Sequence, residues 1–554
     1  MARRDRLATI LGLLLMAFLF AANVWRMFSL GMDKHPPFWV VDAIPPALSD
    51  LRFGGRGDYT VYNDVSDVFY KALRAQSLAL DHDSGMVQRS MAAVMALDPS
   101  RISRKTVLLG GEDKGIVDFV KIAFRLFGFD CRRIVYLYYA ILAGSLSLLV
   151  GSFAANRSVI TFACAFLTGH YLLQPIIFSN PQLQSVLALR FLPVLALMAC
   201  LHSMLFAQRP VLSPGGIAAL VLQVLLLIFA VHLRSVTLWQ IAVAVAFGVA
   251  VAGVTARRQF KASDGSGLAV LRNSVARYIP HILPAILLVA GLLALNVYRH
   301  RSFDVRYLRG DQPTTRVFWH NILSGYAFNP NLAGTYGLKI DDSSEARAAR
   351  AFLVENRRAA EWTALGGTPV DKPWVWGTGF YRLRLTAYDR VAGELFWSIV
   401  LTHPAEAIAT FVFYKPAALL RQLAWVYGFR REMPDVPVWV SADIGDAMAV
   451  QLADVQKTVD SGGSRLTLWA PTACLTILVL TLVQVLQSRL SSPLEWLPAA
   501  ALVLGSIIPS IVGYPGLHTI SEPVLLFAAA IFSAVSVSLS WAIKRAFGAR
   551  SPPR

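Results

Sequence analysis

The sequence predicts an all-α polytopic membrane protein with about ten transmembrane helices and two large extracytoplasmic loops. Three observations predict it. Apolar runs of about twenty residues recur along the chain, the length a helix needs to cross a hydrocarbon core ~30 Å thick. Of the 554 residues, 55% are apolar and only 16% are charged, with a mean hydropathy of +0.52. Soluble domains carry roughly 25% charged residues, and lipid-facing positions cannot hold charge cheaply. The charge present is mostly basic, with a formal net of +18. On a soluble chain that balance points to nucleic acid. Here the Lys and Arg residues cluster beside the ends of apolar runs, where they meet the cytoplasm and anionic headgroups, so membrane lipids and not nucleic acid are the expected partners.

The expected spans are 7–29, 133–153, 157–178, 185–206, 216–233, 236–254, 279–297, 466–487, 495–513 and 522–543. The chain therefore divides into a first transmembrane helix (1–29), a first loop (30–132), spans two to seven (133–297), a second loop (298–465), spans eight to ten (466–543) and a tail (544–554). The first run follows Arg3, Arg4 and Arg6. It is long for a signal peptide, and no small-x-small cleavage site follows it, so a retained helix is expected. Counting basic residues at span ends places both termini in the cytoplasm, in a cell (inner) membrane, with Lys544, Arg545 and Arg550 inside and a basic loop at 255–278. Residues 393–425 are apolar but interrupted by His403, Pro404, Glu406 and Lys415. They suit an amphipathic helix on the membrane surface better than an eleventh span.

The two loops are too long to be connectors. The first shows helical periodicity at 64–97 and 116–128. The second holds Trp319, Trp362, Trp374, Trp376, Trp397, Trp425 and Trp439, whose rings suit a small core, interfacial anchoring or stacking on sugars. Four cysteines, Cys131, Cys164, Cys200 and Cys474, form neither a disulfide framework nor a zinc pattern. No phosphate-binding loop, dinucleotide fingerprint or hydrolase elbow is present.

Candidate chemistry concentrates in the loops and at span ends. In GGRGDYTVYNDVSDVFY (54–70), Asp58 follows Gly57 and leads as a general base that would deprotonate a hydroxyl; Asp64 and Asp67, three apart, are supporting acids. Each of these also suits a solvated loop acid. In LLGGEDKGIVDFVKIAFRLFG (108–128), Asp113 is a further supporting acid and Lys114 a possible acceptor contact, while acids there also suit a helix N-terminus. Arg190 lies within the fourth span, where an intramembrane cation favours function. With His232 and Arg234, at the turn between spans five and six, it would form a phosphate pocket. His170, mid-span, reads as a packing residue. The stretch Arg309 to Tyr336 adds Arg316 for phosphate and His320 and Asn321 for acceptor or sugar.

The order of these features resembles the GT-C superfamily of membrane glycosyltransferases, in the branch of the protein mannosyltransferases and arabinosyltransferases. The resemblance rests on the basic N-terminus and single span, an early Asp in the first loop, the turn and helix ending in IAFRLFGFD, and the run through IIFSNPQLQSVLALRFLPVLAL. Tyr388 to Leu420, with His403-Pro404, is similar to the stretch before the last spans of such enzymes. The resemblance implies a GT-C-like fold, a polyprenyl-phosphate-linked sugar as donor, and a glycan, lipid or protein acceptor. It also implies an acidic base in the first outer loop, which Asp58 matches. The chain departs from the pattern where Asp42 and Asp50 are spaced apart, where Gln182 and Gln184 replace an acid, and where His518 and Glu522 replace an Arg. No cofactor is required outright, and a divalent metal stays open. The residues also admit a polyprenyl-diphosphate glycan ligase or polymerase that would use Arg316 and His320. A lipid-glycan flippase or transporter would instead show internal repeats, of which the sequence has none.

Overall fold

The structure is a computed structural model that describes residues 3–29, 38–75, 84–108, 113–153, 157–179, 201, 213–262, 267–308, 318–339, 342–372, 383–427, 465–486, 493–515 and 517–548. Arg190, Arg316, Glu112, Cys200, Trp374, Trp376 and Trp439 lie outside the described residues.

The described residues are mostly helical. Helix α1 (Arg3–Ser29) enters a first loop unit made of α2 (Phe38–Phe53), β1 (Val61–Tyr62), α3 (Asn63–Arg74), α4 (Ser84–Met95), β2 (Thr106–Val107) and α5 (Gly115–Phe127). The two short strands pair antiparallel, Val61 with Val107 and Tyr62 with Thr106. Both helical stretches expected in this loop are present, in α3, α4 and α5.

The bundle continues with α6 (Ile134–Phe153), α7 (Arg157–Ser179), α8 (Pro214–Leu233), α9 (Leu238–Ala262) and α10 (Gly267–Ser302). The expected basic loop at 255–278 is largely helical: α9 runs on to Ala262 and α10 starts at Gly267. The reason is that Arg and Lys are good helix formers, so the polar ends of both helices extend past the apolar windows.

A second loop unit follows. It comprises α11 (Val305–Leu308), α12 (Phe318–Ser324), α13 (Pro330–Tyr336), α14 (Asp342–Glu355), α15 (Ala359–Ala364) and α16 (Leu385–Thr402). Pro404 then breaks the helix. The chain bends by 110° into α17 (Pro404–Ala409), a π-helical turn (Thr410–Tyr414) and α18 (Lys415–Val426). Proline at 404 removes a backbone donor and clashes with the preceding turn, which accounts for the break. The last helices are α19 (Arg465–Leu486), α20 (Leu497–Gly505), α21 (Ile508–Val512) and α22 (Leu517–Gly548).

Among the described residues, six helical segments are long and apolar enough to cross a membrane: Asp5–Ser29, Cys131–Phe153, Pro214–Leu233, Ser235–Val254, Ile282–Ser302 and Glu522–Ala546. They coincide with the first, second, fifth, sixth, seventh and tenth expected spans. Shorter apolar helices at Ser158–Gln174, Ala473–Leu486 and Leu497–Val512 occupy the third, eighth and ninth. The expected fourth span, 185–206, lies outside the described residues except at Leu201. The chain is thus an all-α protein with several membrane-crossing helices. Large apolar side chains such as Leu14, Phe18 and Leu293 are exposed on the bundle's outside, as lipid contact requires.

Helix α7 packs between α1 and α22, and α9 and α8 both pack on α10. One apolar core runs without a break from this bundle into the first loop unit, while the second loop unit has its own core around Tyr326, Trp362, Tyr388 and Phe396. Trp362 and Trp425 are fully buried, so two of the tryptophans serve packing, whereas Trp397 is exposed. Lys415 joins the second unit to the bundle. It is fully buried, and its Nζ donates to the carbonyl oxygens of Ile511 (3.1 Å) and Val512 (3.3 Å) over the Phe411 ring. Inside the bundle, His170 Nδ1 meets Asn23 Oδ1 at 2.7 Å, and Gln174 Nε2 donates to the same oxygen, so His170 is a packing residue satisfied by neighbours.

Candidate functional site at the junction of the first loop unit and the bundle

Helix α5 is amphipathic, and its apolar residues Ile116, Val117, Phe119, Val120, Ala123 and Phe124 are buried against α2, α6 and α8. Its N-terminus abuts the end of α8. A Cβ at Gly115 would lie 2.2 Å from the carbonyl oxygen of His232, so only glycine allows this approach. The contact brings Asp118, one turn on, to His232 at the last turn of α8.

Asp118 is the centre of a charged cluster. Its Oδ2 accepts from Tyr59 OH at 2.5 Å and lies 2.9 Å from His232 Nε2. Its Oδ1 pairs with Lys121 Nζ at 2.9 Å, three residues along the same helix face. Lys121 reaches a second acid, Asp50 of α2, at 3.1 Å, and the other oxygen of Asp50 accepts from the backbone N–H of Gly57. Tyr59 OH also shares a hydrogen bond with Tyr298 OH of α10, at 2.8 Å. Tyr59 is fully buried and holds a left-handed backbone, φ 66°, a conformation costly for a side chain with a Cβ. That strain is held by Tyr307 OH, which donates to the Tyr59 carbonyl at 2.9 Å.

The electrostatics follow from these contacts. Burial opposes the charged form of Asp118, but hydrogen bonds from His232 and Tyr59 and the charge of Lys121 outweigh it and hold the carboxyl at about 2. Burial likewise opposes the Lys121 charge, and Asp118 and Asp50 overcome it and raise its pKa. Burial, then the adjacent Asp118, pushes the Tyr59 hydroxyl up, so it stays protonated and donates. With Asp118 ionised, His232 Nε2 carries a proton toward it, and among the described residues the buried Nδ1 has no hydrogen-bond partner.

Further ionic contacts surround this cluster. Arg234 pairs with Asp113 at 3.4 Å, and Asp113 also accepts from the Ser235 N–H. Arg299 donates to the carbonyls of Val231 and His232. Lys114 is buried with its ammonium 5.0 Å from the centre of the Tyr307 ring. Asp42 of α2 accepts from Tyr70 OH at 2.9 Å; burial first, against that hydrogen bond and the charge of Lys114, raises its carboxyl to about 6.

The expected residues do not all come together. Asp113, Lys114, His232 and Arg234 meet at this junction. Asp58 lies at its rim: its Oδ1 accepts from the Thr60 N–H (3.1 Å) and hydroxyl (2.6 Å), and its carbonyl accepts from Asp304 N. Among the described residues no hydrogen bond reaches its Oδ2. Asp64 instead caps the approach to β2, accepting from Ser103 N at 2.7 Å, and Asp67 is exposed on α3. His320 is buried in the second unit, where Nδ1 meets Tyr388 OH at 2.9 Å and its N–H bonds Asp389; Asn321 follows it on α12. The two belong to a core separate from that of the Asp118 cluster. Arg190 and Arg316 lie outside the described residues. Among those residues no group of three or more His, Cys, Asp or Glu side chains is placed to hold a metal ion.

Asp118, Lys121, Tyr59 and Tyr298 do not stand out in the sequence. No local signal marks Asp118 or ties it to its partners, because Asp118 shares the polar side of α5 with Lys121 and Arg125 at helical spacing, as an acid on any amphipathic helix would. The identity of those partners needs contacts across as many as 114 positions. Comparison with protein-family models, curated proteins and solved structures returns no match.

Proposed function

We propose that the chain is a membrane glycosyltransferase that moves a monosaccharide from a polyprenyl-phosphate donor to an acceptor hydroxyl on the extracytoplasmic face of a cell (inner) membrane. The observation that carries this reading is the ion pair of Asp118 and Lys121, held with the buried His232 and Tyr59 where the first loop unit meets the ends of α8 and α10. A lipid donor would present its phosphate at such a junction, with its tail among the helices and its sugar toward the loops.

In the proposed reaction the acceptor oxygen bonds to the anomeric carbon as the bond from that carbon to the phosphate oxygen breaks. The acceptor proton passes to Asp58 Oδ2, whose partner oxygen is fixed by Thr60. The electron pair leaves with the polyprenyl phosphate. Arg234, at the same junction, supplies positive charge for that phosphate, and Asp118 fixes the neighbouring His232 ring. Asp118 itself is too weak a base to take the proton, because its ionised form is already stabilised. A single displacement inverts the anomeric configuration.

The test is transfer by the purified protein from a panel of polyprenyl-phosphate monosaccharides, with Asp58→Asn and His232→Gln alongside. Transfer that falls by roughly 100-fold or more in Asp58→Asn supports the assignment. Activity confined to polyprenyl-diphosphate glycans would establish the ligase reading instead.

A further inference from the structure

A second candidate site lies away from the Asp118 junction. Where Pro404 breaks the chain, α13 and the bend between α16 and α17 enclose an open cleft of about 570 Å³ lined by Asn331, Leu332, Gly334, Thr335, His403 and Glu406. Small-ligand pockets span ~300–1,000 Å³. The cleft is held open by its own framework: Asn329 caps α13 through Asn331 N and donates to the carbonyl of Glu406, while Tyr336 sets its ring edge-on to His403, centroids 5.9 Å apart. Among the described residues the Glu406 carboxylate and the His403 ring nitrogens have no hydrogen-bond or ion-pair partner in the protein, while the backbone of both residues and the packing of the His403 ring on Tyr336 serve the fold.

The lining chemistry selects a ligand class. There is no Lys or Arg, so an anion meets only the repulsion of Glu406. One imidazole and one carboxylate fall short of a metal's ligand set. An amide, a hydroxyl, a carboxylate and an imidazole offer mixed donors and acceptors, which is what vicinal hydroxyls require. Leu401, Ile408 and Val412, on the helices flanking the bend, are exposed and apolar, as suits a cleft that opens at a lipid surface.

We infer that the His403–Glu406 cleft binds a neutral, hydroxyl-rich glycan presented at the membrane surface. As the acceptor subsite it rests on the transfer reaction proposed above; as a glycan-binding site it stands apart from it.

The experiment uses the full chain in lipid nanodiscs, applied to a printed array of neutral oligosaccharides, beside His403→Gln, Glu406→Gln and their combination. The expected result is saturable binding to at least one neutral glycan, weakened at least 10-fold in the double variant, while each variant keeps the thermal midpoint of the parent. If transfer is also observed, the acceptor KM rises in the double variant and the donor KM does not. Binding without any transfer would uphold the cleft and sink the transferase reading. No binding to any neutral glycan, or unaltered binding in the folded double variant, would overturn the cleft assignment, and transfer with an unchanged acceptor KM would overturn its role as the acceptor subsite. Should the double variant fail to fold, Thr335→Val, at an exposed position on the same wall, gives the same readout.

Discussion

His232 Nε2 lies 2.9 Å from Asp118 Oδ2, joining the end of a bundle helix to a loop-unit helix 114 positions earlier. Lys121 completes the pair from one turn along α5. Charges with little solvent contact are stabilised only as a set, and removing one partner strands the others. Asp118→Asn therefore lowers stability by roughly 2–4 kcal/mol, and Lys121→Met in the same background recovers part of that loss. A double-mutant cycle on thermal or denaturant unfolding measures it. Additivity of the two changes would show that the pair is not coupled.

The close approach at Gly115 gives a steric prediction. An Ala there puts Cβ 2.2 Å from a backbone oxygen that cannot rotate away, whereas Gly144, inside α6, has nothing within 4 Å of the same position. Gly115→Ala should cost ~1–3 kcal/mol and reduce transfer activity, since α5 must withdraw from His232. Gly144→Ala should be neutral or stabilising by about 0.5–1 kcal/mol. Equal unfolding midpoints for the two variants would contradict the packing.

Two acids of the first loop unit tilt stability in opposite directions with pH. Asp118 is held at about 2, below its ordinary 3.8, so its contribution is present above 3.8 and is lost as pH falls toward 2. Asp42 is raised to about 6, so the folded state binds its proton more tightly; that contribution is present below 3.8 and is lost as pH rises through 6. Each is worth on the order of 2–3 kcal/mol. Between pH 4 and 6 the unfolding midpoint of the parent should fall, and Asp42→Asn should flatten that fall. An unaltered slope in Asp42→Asn would remove Asp42 as its cause.

Much of the fold was legible because a membrane helix is announced by a local property. A run such as Leu7 to Val24 has one stable environment, whatever the rest of the chain does. The 110° bend at Pro404 was not expected: residues 393–425 were read as one amphipathic surface helix, and the proline breaks the chain there into two. The site was legible in part. His232 and Arg234 stood out as polar residues at a span end. Asp118 did not, because an acid on an amphipathic helix looks alike whether it meets water or a histidine. Asp64 and Asp67 do lie three apart on α3, but the partner of Asp64 comes from a loop 39 positions on, which spacing within a helix does not show. Tyr59 needed both its strained backbone and three partners from α5, α8 and α10, none of them sequence neighbours.

The most direct measurement is transfer of a labelled sugar from polyprenyl monophosphate by the purified chain, compared with Asp58→Asn at matched folded concentration. Transfer by the parent is expected, with inversion at the anomeric carbon, and a loss of about 100-fold or more in the variant. Full activity in Asp58→Asn, or no transfer by the parent from any monophosphate donor, would contradict the proposed reaction.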